Sequence, residues 1–355
     1  NSLFGINYQV AMMLSALLIV GYTITGGVNA VCVTDLVQSI VMTCALAIVL
    51  IYGISRAGGW TAVMDNAAAL PGYLSLTSTF DVTSGSEIKY NFLTIISTAA
   101  WGLGYFGMPH ILVRFMAIED EKKLVLSRRI ASVWVVIAMT AGVLIGIVGL
   151  GMTKAGALET LTGSNSETII VRIAGIISQH NALTALIAGI ILAGILAATM
   201  STADSQMLAA ASGVSQNIVH DFLKIKISEK TNLLIARLTI VGIAIVSIFL
   251  ARNPNSSVFK IVSFAWAGFG GAFGAVVLCS LFWKRCNLAG AIAGIISGGA
   301  TVFIWKYLVR PLGGILDIYE LLPAFIVSLI FIIVVSLLTK APDEEIVREF
   351  EAASK

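Results

Sequence analysis

Charged side chains are scarce in this sequence. They make up 12% of its 355 residues, against 58% hydrophobic ones, and the mean hydropathy is +0.95. A soluble domain carries roughly 25% charged residues, so hydrocarbon rather than water must touch most of this chain. The net charge is only +3, with the basic residues scattered through short segments. No basic face forms, and no nucleic-acid partner is expected. Cysteine and histidine are sparse too. Cys32, Cys44, Cys279 and Cys286 form no CxxC and have no histidine at metal-ligand spacing, which leaves apolar packing and one loop thiol at Cys286. His110, His180 and His220 are far apart, so no catalytic histidine constellation is visible and a non-enzyme is expected. The chain opens Asn1-Ser2-Leu3-Phe4, with neither an initiator Met nor a charged segment before its first apolar run. That opening reads as a chain cut partway through, not as a signal peptide.

Long apolar runs are what the sequence does have. A bilayer-crossing helix takes about 20 predominantly apolar residues. Such runs stand at 8–29, 36–55, 91–113, 130–152, 183–213, 232–251, 258–283, 288–308 and 318–339. They predict an all-α polytopic membrane protein of about nine spans: one transmembrane domain over 1–340 and a short cytoplasmic tail over 341–355. The stretch 168–178 is too short to span and is interrupted by Gln179-His180-Asn181, so it reads as a re-entrant or interfacial helix. With the first span running inward, fourteen of the 22 basic residues fall inside, Arg128, Arg129, Lys226, Lys284, Arg285 and Lys355 among them. Eight fall outside, including Lys260, Lys306 and Arg310. The positive-inside rule then places the C-terminus in the cytoplasm and the polar stretches 56–90 and 153–168 outside. Glycines four apart (Gly290, Gly294 and Gly298; Gly142 and Gly146; Gly270 and Gly274) strip one helix face of side chains, and read as close helix packing.

Polar residues inside lipid face protein or a water-filled cavity, and three places break the apolar pattern. In the first, Trp101, Tyr105 and Pro109 follow one another at i, i+4 and i+8, along one face of a helix. Pro109 has no N–H to give the Tyr105 carbonyl, and Gly102, Gly104 and Gly107 loosen the same turns. Such a span can unwind and offer backbone groups to a ligand, as discontinuous transporter helices do. An aromatic packing stripe with a proline kink is the alternative. In the second, Ser201 and Thr202 follow Ala198 by three and four residues, hanging two hydroxyls near its carbonyl. Sodium is a hard cation wanting oxygen ligands, and these three make half a shell. Ordinary back-bonding of each hydroxyl to the preceding turn is the alternative. Asp204 follows as a cation exit group or a solvated cap. In the third, Asp35 stands ahead of the run 36–55, as a helix N-terminal residue favoured by the dipole.

Five ordered blocks carry a resemblance. They are Tyr22-Thr-Ile-Thr-Gly-Gly27 running to Thr34-Asp35-Leu-Val-Gln38, and Trp101-Gly-Leu-Gly-Tyr105-Phe-Gly-Met-Pro-His110 with Arg114-Phe-Met-Ala117 after it. Leu196-Ala-Ala-Thr-Met-Ser-Thr202, Ser263-Phe-Ala-Trp-Ala-Gly-Phe-Gly-Gly-Ala-Phe-Gly274 and Leu338-Thr-Lys-Ala-Pro342 follow. Together the chain resembles the sodium:solute symporter family, most closely its bacterial sodium/proline members. The resemblance implies an inverted-repeat fold of two five-helix units with extra helices at the ends. Thirteen spans are usual there, so the first four are expected to be absent here. It implies sodium ligands at Ala198 (through its carbonyl), Ser201 and Thr202, proline contacts at Trp101, Tyr105 and Pro109, and a cation-handling role for Asp35. Met108 departs from a glutamine common in close relatives, and the Asn29 region is looser than the usual pattern. The expected function is sodium-coupled uptake of L-proline by alternating access in the bacterial inner membrane. The lipid bilayer surrounds the protein, sodium is the coupling ion, and no obligatory protein partner is expected. Pantothenate, a sugar or sialic acid is the alternative cargo, and a sensor module the distant alternative class.

Overall fold

The computed structural model describes residues 6–225, 228–253 and 257–353, and the side chains of these except 26–30. Lys226, Lys355 and the side chain of Asn29 therefore lie outside the described parts. Fourteen α-helices follow in chain order among the described residues. The first seven are α1 (Tyr8–Arg56), α2 (Trp60–Ala68), α3 (Phe92–Ala99), α4 (Trp101–Gly104), α5 (Pro109–Met116), α6 (Lys123–Lys154) and α7 (Ile169–Ser178). The others are α8 (Ala182–Ser212), α9 (Glu229–Leu250), α10 (Val258–Phe269), α11 (Ala275–Phe282), α12 (Leu288–Ile304), α13 (Leu321–Leu338) and α14 (Glu344–Ala353). A small hairpin, β1 (Ser78–Asp81) with β2 (Ser86–Lys89), sits in the long polar stretch. Among the described residues eight helical segments are long and apolar enough to cross a membrane, and the ninth expected span is represented by the shorter apolar segment Phe92–Gly107. The chain divides into two compact units, one built on α1, α2 and α6–α9, the other on α3–α5 and α10–α14.

In the first unit α1, α6, α7 and α8 share a core. Val49, Val148, Met152, Ile173 and Ile191 are completely buried in it. The same helices point equally apolar residues outward: Ile51 is 72% exposed, two residues from Val49 at 0%. A helix that is hydrophobic on every side belongs in lipid. The short segment 168–178 is indeed a ten-residue helix, α7, with Ile173, Ala174 and Ile177 turned into this core. One expectation fails. Runs 8–29 and 36–55 are not separate helices but parts of the single 49-residue α1, within which Tyr8–Thr25 and Val31–Arg56 each suffice to cross. The reason is local. Thr34, just before Asp35, donates its hydroxyl back to the Val31 carbonyl at 2.9 Å within a helix that runs on through both. Asp35 thus stands inside a helix, not at its N-terminus, and the dipole role falls away.

In the second unit α12 and α13 pack along their small residues. Ser328 Oγ donates to the Gly294 carbonyl at 2.9 Å, and a methyl group added at Gly298 would strike the Gly271 carbonyl. The segment Gly270–Gly274 runs as a π-helix between α10 and α11. Its glycine faces admit backbone: a methyl group at Gly270 would lie 2.6 Å from the Gly104 α-carbon. Gly142 and Gly146 behave differently, with no described atom outside their own helix turns within 4 Å of either added methyl. The tail is helical, and Lys284 pairs with Glu351 across it. Gly298→Ala should therefore cost about 1–3 kcal/mol of overpacking and lower the thermal midpoint of the purified protein, while Gly142→Ala leaves it unchanged. Equal midpoints for the two variants would refute close packing of α12 on the Gly270–Gly274 segment.

Candidate functional site

The span read as weakened is broken. Trp101–Gly104 is one α-helical turn, Tyr105–Gly107 tightens into a 3₁₀ turn, Met108 is extended (φ −83°, ψ 111°), and α5 restarts with Pro109 at its first turn. Proline suits that position because its missing N–H has no helical acceptor there in any case. The Tyr105 carbonyl, expected to lose its partner, instead accepts a 3.4 Å bond from the Met108 N–H. The break also overturns the expectation of one shared face. Trp101, Tyr105 and Pro109 sit on three successive short elements, and the extended Met108 takes Pro109 off the register of the other two. Met108, the departure from the family pattern, is buried in the break.

Trp266 of α10 joins the first two. Its indole N–H donates to the Trp101 carbonyl at 2.9 Å, and its ring stacks on Trp101 at 5.5 Å while meeting Tyr105 edge-on at 4.7 Å. Gly104 makes room, since a methyl group there would run into the Trp266 indole. Trp101 is further stacked by Phe259 at 5.6 Å and Tyr319 at 5.8 Å. Protein rings thus line Trp101, whereas Tyr105 remains 49% exposed, and no described residue takes up its hydroxyl. The Tyr319 hydroxyl, in the loop before α13, is pushed above its ordinary range by burial and then by the neighbouring Glu320 charge. It stays protonated and donates to the Ser263 carbonyl at 2.6 Å. Sequence reading singled out neither Trp266 nor Tyr319 for a role. Trp266 lies in one of the five ordered blocks, so a signal was present; Tyr319 lies in none.

On α8 the three sodium candidates converge. Ser201 Oγ and Thr202 Oγ1 each lie 3.2 Å from the Ala198 carbonyl, so three uncharged oxygens gather within one turn. Both hydroxyls now donate to that carbonyl; rotated outward, each presents a lone pair to a cation. Among the described residues no group of three His, Cys, Asp or Glu is poised for a metal. Asp204, one turn on, is completely buried, so its reading as a solvated cap is overturned. It accepts from Tyr22 Oη of α1 at 2.5 Å and from the Ser205 N–H at 2.6 Å. Tyr22 also reaches the Met200 carbonyl at 3.2 Å. Tyr22 and Ser205, unassigned from sequence, thus hold the Asp204 carboxylate.

The chain is similar to known proteins. The profile of the sodium:solute symporter family matches residues 1–298. The osmoregulated proline transporter OpuE of Bacillus subtilis (strain 168) is 38% identical over 355 residues, covering 100% of this chain and 68% of that protein. A sodium/proline symporter of Staphylococcus aureus is 36% identical over 348 residues, covering 96% of this chain and 65% of that one. The chain thus spans about two thirds of the length of these relatives. Among solved structures, a Na+-coupled sialic acid symporter in a substrate-bound outward-open state aligns with a TM-score of 0.74 at 20% identity, over 96% of this chain and 69% of that one. That likeness is one of fold. The broken aromatic helix, the oxygen-bearing turn of α8 and a family match across most of the sequence lead to one conclusion: the chain belongs to the sodium:solute symporter family.

Proposed function

We propose that the protein takes up L-proline across the bacterial inner membrane, driven by sodium through alternating access, with its C-terminus in the cytoplasm. The observation that carries this reading is the turn of α8 on which Ser201 and Thr202 hold their hydroxyls 3.2 Å from one carbonyl, in a chain whose 36–38% identical relatives are named for proline. Ala198, Ser201 and Thr202 are the protein's contribution to the sodium shell. Asp204 and Asp35 hold negative charge along the cation's path, with Tyr22 fixing the Asp204 carboxylate. Tyr105 presents its open ring to the substrate. The pyrrolidine ring packs on its face, and the secondary ammonium is drawn to the π-electrons. Trp101 stands behind as wall, and Pro109 keeps the helix broken.

Sodium entering from outside binds the outward-facing state more tightly, so its gradient biases the equilibrium that proline then completes. Each charge moved down the membrane potential yields about 2.3 kcal/mol per 100 mV, close to fifty-fold accumulation at about 1.4 kcal/mol per decade. No covalent bond is made or broken. The reading is tested by uptake of radiolabelled solutes into cells lacking their own proline carriers. Sodium-dependent proline uptake is expected, abolished when potassium replaces sodium. Sodium-dependent uptake of a sugar, pantothenate or sialic acid with none of proline overturns the cargo, and uptake indifferent to sodium overturns the coupling.

A further inference from the structure

The loop between α12 and α13 carries a cluster of ion pairs within the second unit. Glu320 is completely buried at the start of α13, yet it is a carboxylate. It is compensated twice, by Lys306 Nζ at 3.0 Å and by Arg310 Nη1 at 2.9 Å, while Arg310 Nε holds Asp317 at 2.8 Å. A buried carboxylate with two hydrogen-bonded cations is costly to disturb, because removing either side leaves charge without its partner. The residue immediately before it is Tyr319, and all three of its polar or aromatic handles are used. Its backbone N–H donates to the buried Ser97 Oγ of α3 at 2.6 Å. Its hydroxyl donates to the Ser263 carbonyl of α10 at 2.6 Å. Its ring lies against Trp101 at 5.8 Å and 18°.

Those bonds have a consequence for Trp101. The indole stands at the head of the broken segment, on a turn of only four residues. Its orientation must come from what stacks on it. Trp266 and Phe259 both come from α10, and Phe259 is itself 65% exposed. Tyr319 is the neighbour that another element supplies, and the only one whose backbone is pinned by an ion cluster in the adjoining residue. We infer that Tyr319 is a positioning residue for substrate, clamping the Trp101 ring through a loop anchored by Glu320 with Lys306 and Arg310. The inference rests on the proposed role of the Trp101–Tyr105 segment in binding cargo.

The test is initial-rate uptake by the full-length protein, with membrane abundance measured for each variant. Tyr319→Ala removes the stack and should raise the KM for proline about tenfold, with maximal rate per molecule and sodium half-saturation little changed. Tyr319→Phe keeps the ring and gives up only the bond to Ser263, so it should restore a KM within about threefold of the parent. Tyr319→Leu preserves bulk without an aromatic face and serves if the alanine variant does not accumulate; it should behave as the alanine variant does. Trp101→Ala combined with Tyr319→Leu should be no worse than Trp101→Ala alone, since the clamp then has nothing to hold. An unchanged KM in Tyr319→Leu overturns the inference. So does a tyrosine variant that shifts sodium half-saturation as much as KM, or a phenylalanine variant no better than leucine. If the parent protein transports a different solute, the proposed cargo fails, and the same KM comparison made with that solute still decides the role of Tyr319.

Discussion

Replacing Ser201 and Thr202 together with alanine is expected to raise the sodium concentration for half-maximal uptake by at least about tenfold. Two uncharged oxygens then leave the cation, and a hydrogen bond or dipole contact to a charged group contributes about 1.5–3 kcal/mol. Each single substitution should give a smaller shift in the same direction. The alternative, in which both hydroxyls merely back-bond to the Ala198 carbonyl, predicts something else. Alanine removes such back-bonds at little cost and slightly favours the helix, so sodium dependence would not move. The geometry is compatible with both, since the 3.2 Å distances to Ala198 are those of a bond and of a half-shell waiting to turn. Uptake measured against sodium at saturating proline separates them. A double variant with the parent's sodium curve assigns these residues to helix packing alone.

Much of this architecture was legible because lipid imposes a simple rule. Residues that look equally apolar on all sides, as Val49 and Ile51 do two apart on α1, mark a span wherever about twenty of them run together. The break after Tyr105 was legible for a similar reason, since proline and three glycines leave a helix few ways to continue. What stayed hidden depends on neighbours far along the chain. The stack on Trp101 is built from residues 158, 165 and 218 positions later, and no local period announces it. The Tyr22–Asp204 bond joins residues 182 apart.

The corrections have one cause. Asp35 read as a helix N-terminal residue because a carboxylate suits the dipole there, but a new start needs the backbone before it to leave the helix. Residues 31–33 are Val-Cys-Val, with nothing to stop the hydrogen-bond ladder. Asp204 read as a solvated cap because aspartate inside an apolar helix is costly. Its burial is offset by Tyr22 and the Ser205 N–H, partners that hydropathy does not register. The glycine pairs make the same point from the opposite side. Spacing alone treated Gly142 and Gly298 alike, while one meets open space and the other a carbonyl.

Removing the Tyr105 side chain is expected to weaken proline binding about tenfold or more while leaving sodium half-saturation nearly intact. Its ring meets Trp266 edge-on at 4.7 Å, so one edge is fixed by the protein while the exposed remainder of the side chain is free to meet a ligand. A pyrrolidine ring against that face gains apolar burial and a cation–π contribution of about 0.5–2 kcal/mol, both lost in Tyr105→Ala. Tyr105→Phe divides the effect. The aromatic face persists, so most of the affinity should remain, and any loss measures what the hydroxyl gives to the substrate. The comparison with Trp101→Ala is informative because that indole is lined by three rings. Its loss should disturb Trp266 and Phe259 as well as the cargo, and so reduce membrane abundance together with affinity. Tyr105→Ala should leave abundance unchanged. If instead Tyr105→Ala reduces proline affinity, sodium affinity and abundance in parallel, the tyrosine is a packing residue, and the substrate must be read by other groups along the break.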